Sequence, residues 1–68
     1  MITFKIDTEY IELIKLLKVT RVSESGAQAK IFVEDGIVKR NGEVEYRKRA
    51  KIVPGDKIEV LGEVIVVE

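Results

Sequence analysis

The sequence predicts an α+β domain in which two short helices pack on a small, mainly antiparallel sheet, in the order β-α-α-β-β-β-β. Three observations carry that expectation. Apolar and polar residues alternate near the start and through much of the second half, which is the period of a strand. Between them, residues 10–17 and 27–33 place apolar side chains at helical spacing. Turn signals at Gly36, Asn41-Gly42, Pro54-Gly55-Asp56 and Leu61-Gly62 fall between these segments.

Ile2, Phe4 and Ile6 alternate with Thr3 and Lys5, so residues 2–6 read as a strand. Asp7 then suits an N-cap. Glu9 and Glu12 come early in the next segment and Lys15 and Lys18 late, an order that complements a helix dipole. Tyr10, Leu13, Ile14 and Leu17 share one face, which predicts a helix over 8–18. A second helix starts near Ser25, where Ser25 and Gln28 fit a capping box. Ala29, Phe32 and Val33 share one face, and Ala27 and Ile31 point nearly the opposite way. This helix is therefore expected to be sandwiched between neighbours, and Gly36 ends it.

Asn41-Gly42 suggests a two-residue hairpin turn, but that register pairs Lys39 with Val44 and sends Val38 and Val44 to opposite faces. Burial favours a three-residue loop, Arg40-Asn41-Gly42. That loop pairs Lys39 with Glu43 and puts Val38, Val44 and Tyr46 on one face. Arg47 to Lys51 reads as a charged connector, and Pro54-Gly55-Asp56 as a turn. Ile58 and Val60 alternate with Lys57 and Glu59 in a strand. After a turn at Leu61-Gly62-Glu63, the run Val64 to Val67 reads as the last strand.

With 68 residues the chain reads as one domain, residues 1–68, and a chain this short buries only about 60% of its unfolded surface. Little room is left for a deep catalytic pocket. The sequence has no Cys and no His, which removes disulfides, thiolate metal sites and the commonest general base. No enzyme activity, no cofactor, no metal and no small-molecule substrate are expected. Lys5, Asp7, Glu9 and Glu12 interrupt every early apolar run, so neither a signal peptide nor a membrane contact is predicted. A disulfide-free small domain favours a cytoplasmic location.

The formal net charge is zero, but it is unevenly distributed. Residues 1–14 carry −2, residues 15–51 carry +5 and residues 52–68 carry −3. Anion binding depends on local potential rather than on the total. Three groups of residues could use it. Arg47, Lys48, Arg49 and Lys51 put four cations within five residues. Their forks and ammonium groups suit phosphate oxygens, though the run serves equally as a solvated connector. Arg21, Ser25, Gly26, Gln28 and Lys30 surround a helix N-terminus, where capping alone accounts for Ser25. Lys39, Arg40 and Asn41 form the hairpin tip, where ordinary turn chemistry leaves only Arg40 unaccounted for. Phe4, Phe32, Tyr10 and Tyr46 are all expected in the core. No aromatic platform remains for stacking single strands, which points to recognition of a folded RNA by backbone and shape.

At three places the residues match a known pattern. Ser25-Gly26-Ala27-Gln28-Ala29-Lys30-Ile31-Phe32-Val33, then Gly36-Ile37-Val38-Lys39-Arg40-Asn41-Gly42, then Pro54-Gly55-Asp56 before a strand, resemble the RNA-binding domain named after ribosomal protein S four. The resemblance spans about residues 10–60. It is nearest to the small stand-alone YbcJ-type members. It implies an αL-type motif that binds structured RNA of the ribosomal or transfer class; a monomer and ribosome association are expected as well. The contact residues it implies are Arg21, Ser25, Gln28, Lys30, Lys39, Arg40, Arg47, Lys48, Arg49 and Lys51. Two departures stand out. Arg40 occupies a position where many relatives carry Val, and Gly26-Ala27 one where many carry Arg-Ser. The other class of function considered is a protein-interaction module offering a sheet edge, with the Val-rich last strand as the obvious donor.

Overall fold

The computed structural model describes residues 1–68. Two helices lie on one face of a five-stranded sheet. The elements run β1 (Ile2–Phe4), β2 (Ile11–Glu12), α1 (Leu13–Val19), α2 (Gly26–Glu34), β3 (Val38–Arg40), β4 (Glu43–Val44), β5 (Lys51–Ile52), β6 (Lys57–Val60) and β7 (Glu63–Val67). The main sheet has the order β1-β7-β6-β3-β4, and β2 pairs separately with β5. Every pairing is antiparallel except β1 with β7.

The period-2 pattern decides which sheet face is covered. Val38, Ile58, Val60, Ile65 and Val67 are fully or almost fully buried against Leu13, Leu16 and Leu17 of α1 and Ala29 and Val33 of α2. Burying each large aliphatic side chain contributes roughly 1.5–3 kcal/mol. Lys39, Val44, Lys57 and Glu59 point to the uncovered face. Arg40 shares the covered side with Val38, because residues two apart on a strand share a face.

α1 is shorter than its apolar spacing suggests. Ile11 pairs with Ile52 and Glu12 with Lys51, so the chain is extended until Glu12. Asp7 caps nothing, and the Glu12 side chain at the N-cap makes no capping bond to the helix backbone. Instead the first helical N–H groups donate to the connector: Leu13 N to Ala50 O at 2.9 Å and Ile14 N to Lys48 O at 3.2 Å. Tertiary partners have replaced a local cap. Tyr10 falls in register with the helix by coincidence of spacing, and it is outside both helix and core. The first strand also stops at Phe4, two residues short of the expected end.

α2 begins as its sequence indicates. Ser25 Oγ accepts from Gln28 N at 3.1 Å, and Gln28 Oε1 accepts from Glu24 N at 2.6 Å. Gly36 follows the C-cap with φ +74°, a conformation in which a side chain is strained. Only one face of α2 is buried, however. Ile31 is exposed, so the expected sandwich does not form.

The hairpin adopts the two-residue turn, with Lys39 opposite Val44 and Arg40 opposite Glu43. This corrects the register inferred from burial. Asn41 and Gly42 have φ of 53° and 89°, the left-handed pair that a type I′ turn requires and that suits strand twist. Asn41 is further tied in by Lys57 N, which donates to its Oδ1 at 2.9 Å, and by its own amide, which donates to Asp56 Oδ1 at 3.0 Å. Burial misleads because β4 is an edge strand, and both Val44 and Tyr46 are exposed. The last strand, β7, is not an edge at all. It lies between β1 and β6, so it cannot offer the free edge considered above.

Candidate functional site

The charged connector is held by its backbone. Ala50 is buried and its carbonyl accepts from Leu13, the Lys48 carbonyl accepts from Ile14, and Ala50 N donates to Arg47 O at 3.2 Å. Residues 47–50 therefore form a turn fastened to the start of α1. Lys51 and Ile52 continue it as β5, with Ile52 in the core. Lys48 and Arg49 stand at the corner of this turn, facing outward.

Each of the three leading cations has one carboxylate. Arg47 donates to Glu45 at 3.0 Å through Nε and again at 3.0 Å through a terminal nitrogen, Lys48 to Glu34 at 3.1 Å, and Arg49 to Glu12 at 2.8 Å. The side chains of Arg47 and Arg49 nevertheless remain 73% and 80% exposed. The Lys48 and Arg49 pairs lie largely in water, so a phosphate can take the place of their carboxylates at small cost, whereas the Glu45 carboxylate that Arg47 meets is mostly buried. The Arg47 hydrogen bond holds the Glu45 carboxyl below its ordinary range despite partial burial. Arg47 and Arg49 are correspondingly raised by Glu45 and Glu12.

Arg40 behaves differently. Its side chain is 22% exposed. It donates to Asp56 Oδ2 at 2.7 Å and to Lys51 O at 2.8 Å, with Glu45 3.7 Å away. Asp56 is the organiser here. Burial pushes its carboxyl upward, but the Val53 N–H, the Asn41 amide and the Arg40 guanidinium outweigh burial and hold it below its ordinary value. The Pro-Gly-Asp turn is thereby joined to the hairpin tip and to β5.

Six of the ten expected contact residues are brought together. A hollow of about 400 Å³ is lined by Arg40, Arg47, Arg49 and Lys51 around Ala50. An adjoining hollow of about 440 Å³ shares Arg49 and adds Lys48 and Lys30 from α2. Arg21, Ser25 and Gln28 lie apart from these hollows at the inter-helix turn. Arg21 has φ +63°, where Gly is the unstrained choice, and Ser25 and Gln28 are engaged in capping. Lys39 faces the uncovered side of the sheet, opposite to Arg40. Four acids that sequence reasoning did not assign to the site, Glu12, Glu34, Glu45 and Asp56, partner its cations. Tyr10 and Tyr46, expected in the core, are exposed instead. No group of three or more His, Cys, Asp or Glu side chains is placed to hold a metal ion. No helix is long and apolar enough to cross a membrane.

A family model described as the S4 domain matches residues 4–68. The chain belongs to the S4 domain family. Among curated S4 relatives it is 49% identical over 63 residues to YbcJ of Escherichia coli (strain K12), covering 91% of this chain and 90% of YbcJ. It is 40% identical over 57 residues to RlbA of Bacillus subtilis (strain 168), named a probable ribosome maturation protein, covering 84% of this chain and 80% of RlbA. The solution structure of E. coli YbcJ, described as an αL motif involved in RNA binding, superposes with a TM-score of 0.76. That match has 47% sequence identity and covers 98% of this chain and 86% of the other. This S4 domain therefore shares its fold with E. coli YbcJ.

Proposed function

We propose that this chain is a non-catalytic binder of structured RNA, of the ribosomal or transfer class, acting in the cytoplasm as a single-domain monomer in association with the ribosome. The observation that carries the reading is the turn at residues 47–50. It is fastened to α1 by backbone bonds, yet it holds Arg47, Lys48 and Arg49 out to solvent, the last two with exchangeable carboxylate partners. A rigid backbone with exposed cations is what phosphate recognition needs, because little ordering entropy remains to be lost on binding. Kinship with YbcJ and RlbA supports RNA as the polyanion and the ribosome as its setting. Short edge strands, three residues in β1 and two in β4, support a monomer, since they offer little backbone for pairing with a second chain.

Within this reading Lys30, Arg47, Lys48, Arg49 and Lys51 neutralise phosphates, and Arg40 shapes the hollow they share. Arg21, Ser25 and Gln28 are a second group of candidate contacts, at the inter-helix turn and the start of α2. With about five phosphates contacted, log affinity for a labelled hairpin RNA falls with log salt at a slope of roughly −4. Arg47→Glu, Lys48→Glu and Arg49→Glu together abolish binding while circular dichroism and melting stay near those of the parent. A flat salt dependence, or full affinity in the triple variant, overturns the assignment.

A further inference from the structure

Tyr10 is 40% exposed. Its position follows from β2: pairing of Ile11 and Glu12 with β5 keeps the chain extended past Tyr10, and Thr8 Oγ1 donates to the Tyr10 carbonyl at 2.9 Å. The Lys51 ammonium lies 5.1 Å from the ring centroid, a cation–π distance. Lys51 also lines the basic hollow with Arg47 and Arg49. Tyr10 in turn lines the largest hollow of the molecule, about 640 Å³, open to solvent and lined by residues 4–12 with Lys15 and Val19 of α1. Such a volume lies within the roughly 300–1,000 Å³ of ligand clefts. Tyr10 and Lys51 thus join a phosphate-binding surface to a cavity of a different character.

The chemistry of that cavity selects its occupant. Phe4, Ile6 and Val19 give it apolar walls, Asp7, Glu9 and Glu12 give it carboxylates, and Lys5 and Lys15 add two ammonium groups. Three acids against two lysines leave the lining net negative, which favours an uncharged group over a phosphate. A nucleobase is uncharged, stacks on an aromatic face, and donates amino hydrogens to carboxylates. We infer that this hollow takes one unpaired base of the bound RNA, stacked on Tyr10, while Lys51 and Arg49 hold the adjoining phosphates. The inference rests on the RNA-binding reading above and adds to it: the RNA carries an unpaired nucleotide beside its helical contact, rather than being read by shape alone.

Two labelled RNAs test this, a blunt duplex and the same duplex with one bulged 2-aminopurine nucleotide. The parent protein prefers the bulged RNA by roughly tenfold, in the range for one stacked base, and binding quenches the 2-aminopurine fluorescence. Tyr10→Phe retains preference and quenching. Tyr10→Ala loses both but binds the blunt duplex as the parent does. Tyr10→Leu, which keeps the apolar bulk should the Ala variant fail to fold, behaves as Tyr10→Ala. Equal affinity of the parent for both RNAs, or equal weakening of both by Tyr10→Leu, overturns the base site and leaves RNA binding standing. Failure of the parent to bind either RNA at low salt overturns both.

Discussion

Arg40 and Arg49 line the same hollow, and their surroundings differ in almost every respect. Arg40 rises from the covered side of a paired strand, meets Asp56 and the Lys51 carbonyl, and keeps little exposure. Arg49 stands at the corner of a turn, mostly in water, with one bond to Glu12. Removing one partner from a desolvated pair strands a charge, whereas an exposed pair is worth about 0–1 kcal/mol. Residue type is the same in the two cases. What separates a cation committed to the fold from one available to a ligand is where the backbone leaves its partner acid.

The sharpest way to break this comparison is to remove the two acids in turn. Asp56→Ala strips partners from Arg40, Asn41 and the Val53 N–H at once, and is expected to cost about 2–3 kcal/mol in urea unfolding. Glu12→Ala is expected to stay within about 0.5 kcal/mol. Equal losses would erase the distinction.

Acid titration asks the same question without deleting a side chain. Asp56 and Glu45 are held below their ordinary values of 3.8 and 4.5. The unfolded chain therefore takes up these protons first as pH falls. Their stabilisation is complete above the ordinary values and is lost as pH drops below them towards the folded ones. Melting temperature should fall between about pH 5 and pH 2, less steeply in Asp56→Asn than in the parent. Matching pH profiles in the two proteins would remove Asp56 from the account.

Smaller still is the contrast between the arginines themselves. Arg40→Gln is expected to lower stability by about 1–2 kcal/mol. Arg49→Gln should leave stability unchanged within about 0.5 kcal/mol and reduce the RNA salt slope by about 1. The reverse outcome would exchange their roles.

Legibility followed the range of the interactions. The start of α2 was readable because Ser25 and Gln28 act within four residues of each other, and the strands at residues 2–4 and 57–60 because their alternation is local. The extent of α1 was not, since its first N–H groups find their acceptors at Ala50 and Lys48, far along the chain. The same long-range pairing removed Tyr10 from its expected helix. At the hairpin, the left-handed preference of Asn41-Gly42 outweighed the burial of Val44, a term that disappears on an edge strand. The basic cluster was legible as charge. Its division was not, because Asp56, Glu12, Glu34 and Glu45 come to their cations only on folding. The alternation of β3, which places Lys39 and Arg40 on opposite faces, was available from the pattern once Val38 was assigned to the core.

The weakest partner gives the finest test. Glu34 is the more exposed member of its pair with Lys48, and it lies on α2, outside the connector whose shape it does not determine. If the carboxylates only occupy cations that RNA would otherwise use, Glu34→Gln frees Lys48 without disturbing the turn. Affinity for a hairpin RNA should then rise about twofold at low salt, the equivalent of roughly 0.5 kcal/mol for an exposed pair, and the gain should fade as salt screens the site. Stability should not change measurably. Asp56→Asn, assayed on the folded fraction, should give no such gain, because Arg40 remains bonded to the Lys51 carbonyl. An Asp56→Asn variant that bound RNA more tightly than Glu34→Gln would show that Arg40, not the connector turn, is the phosphate ligand.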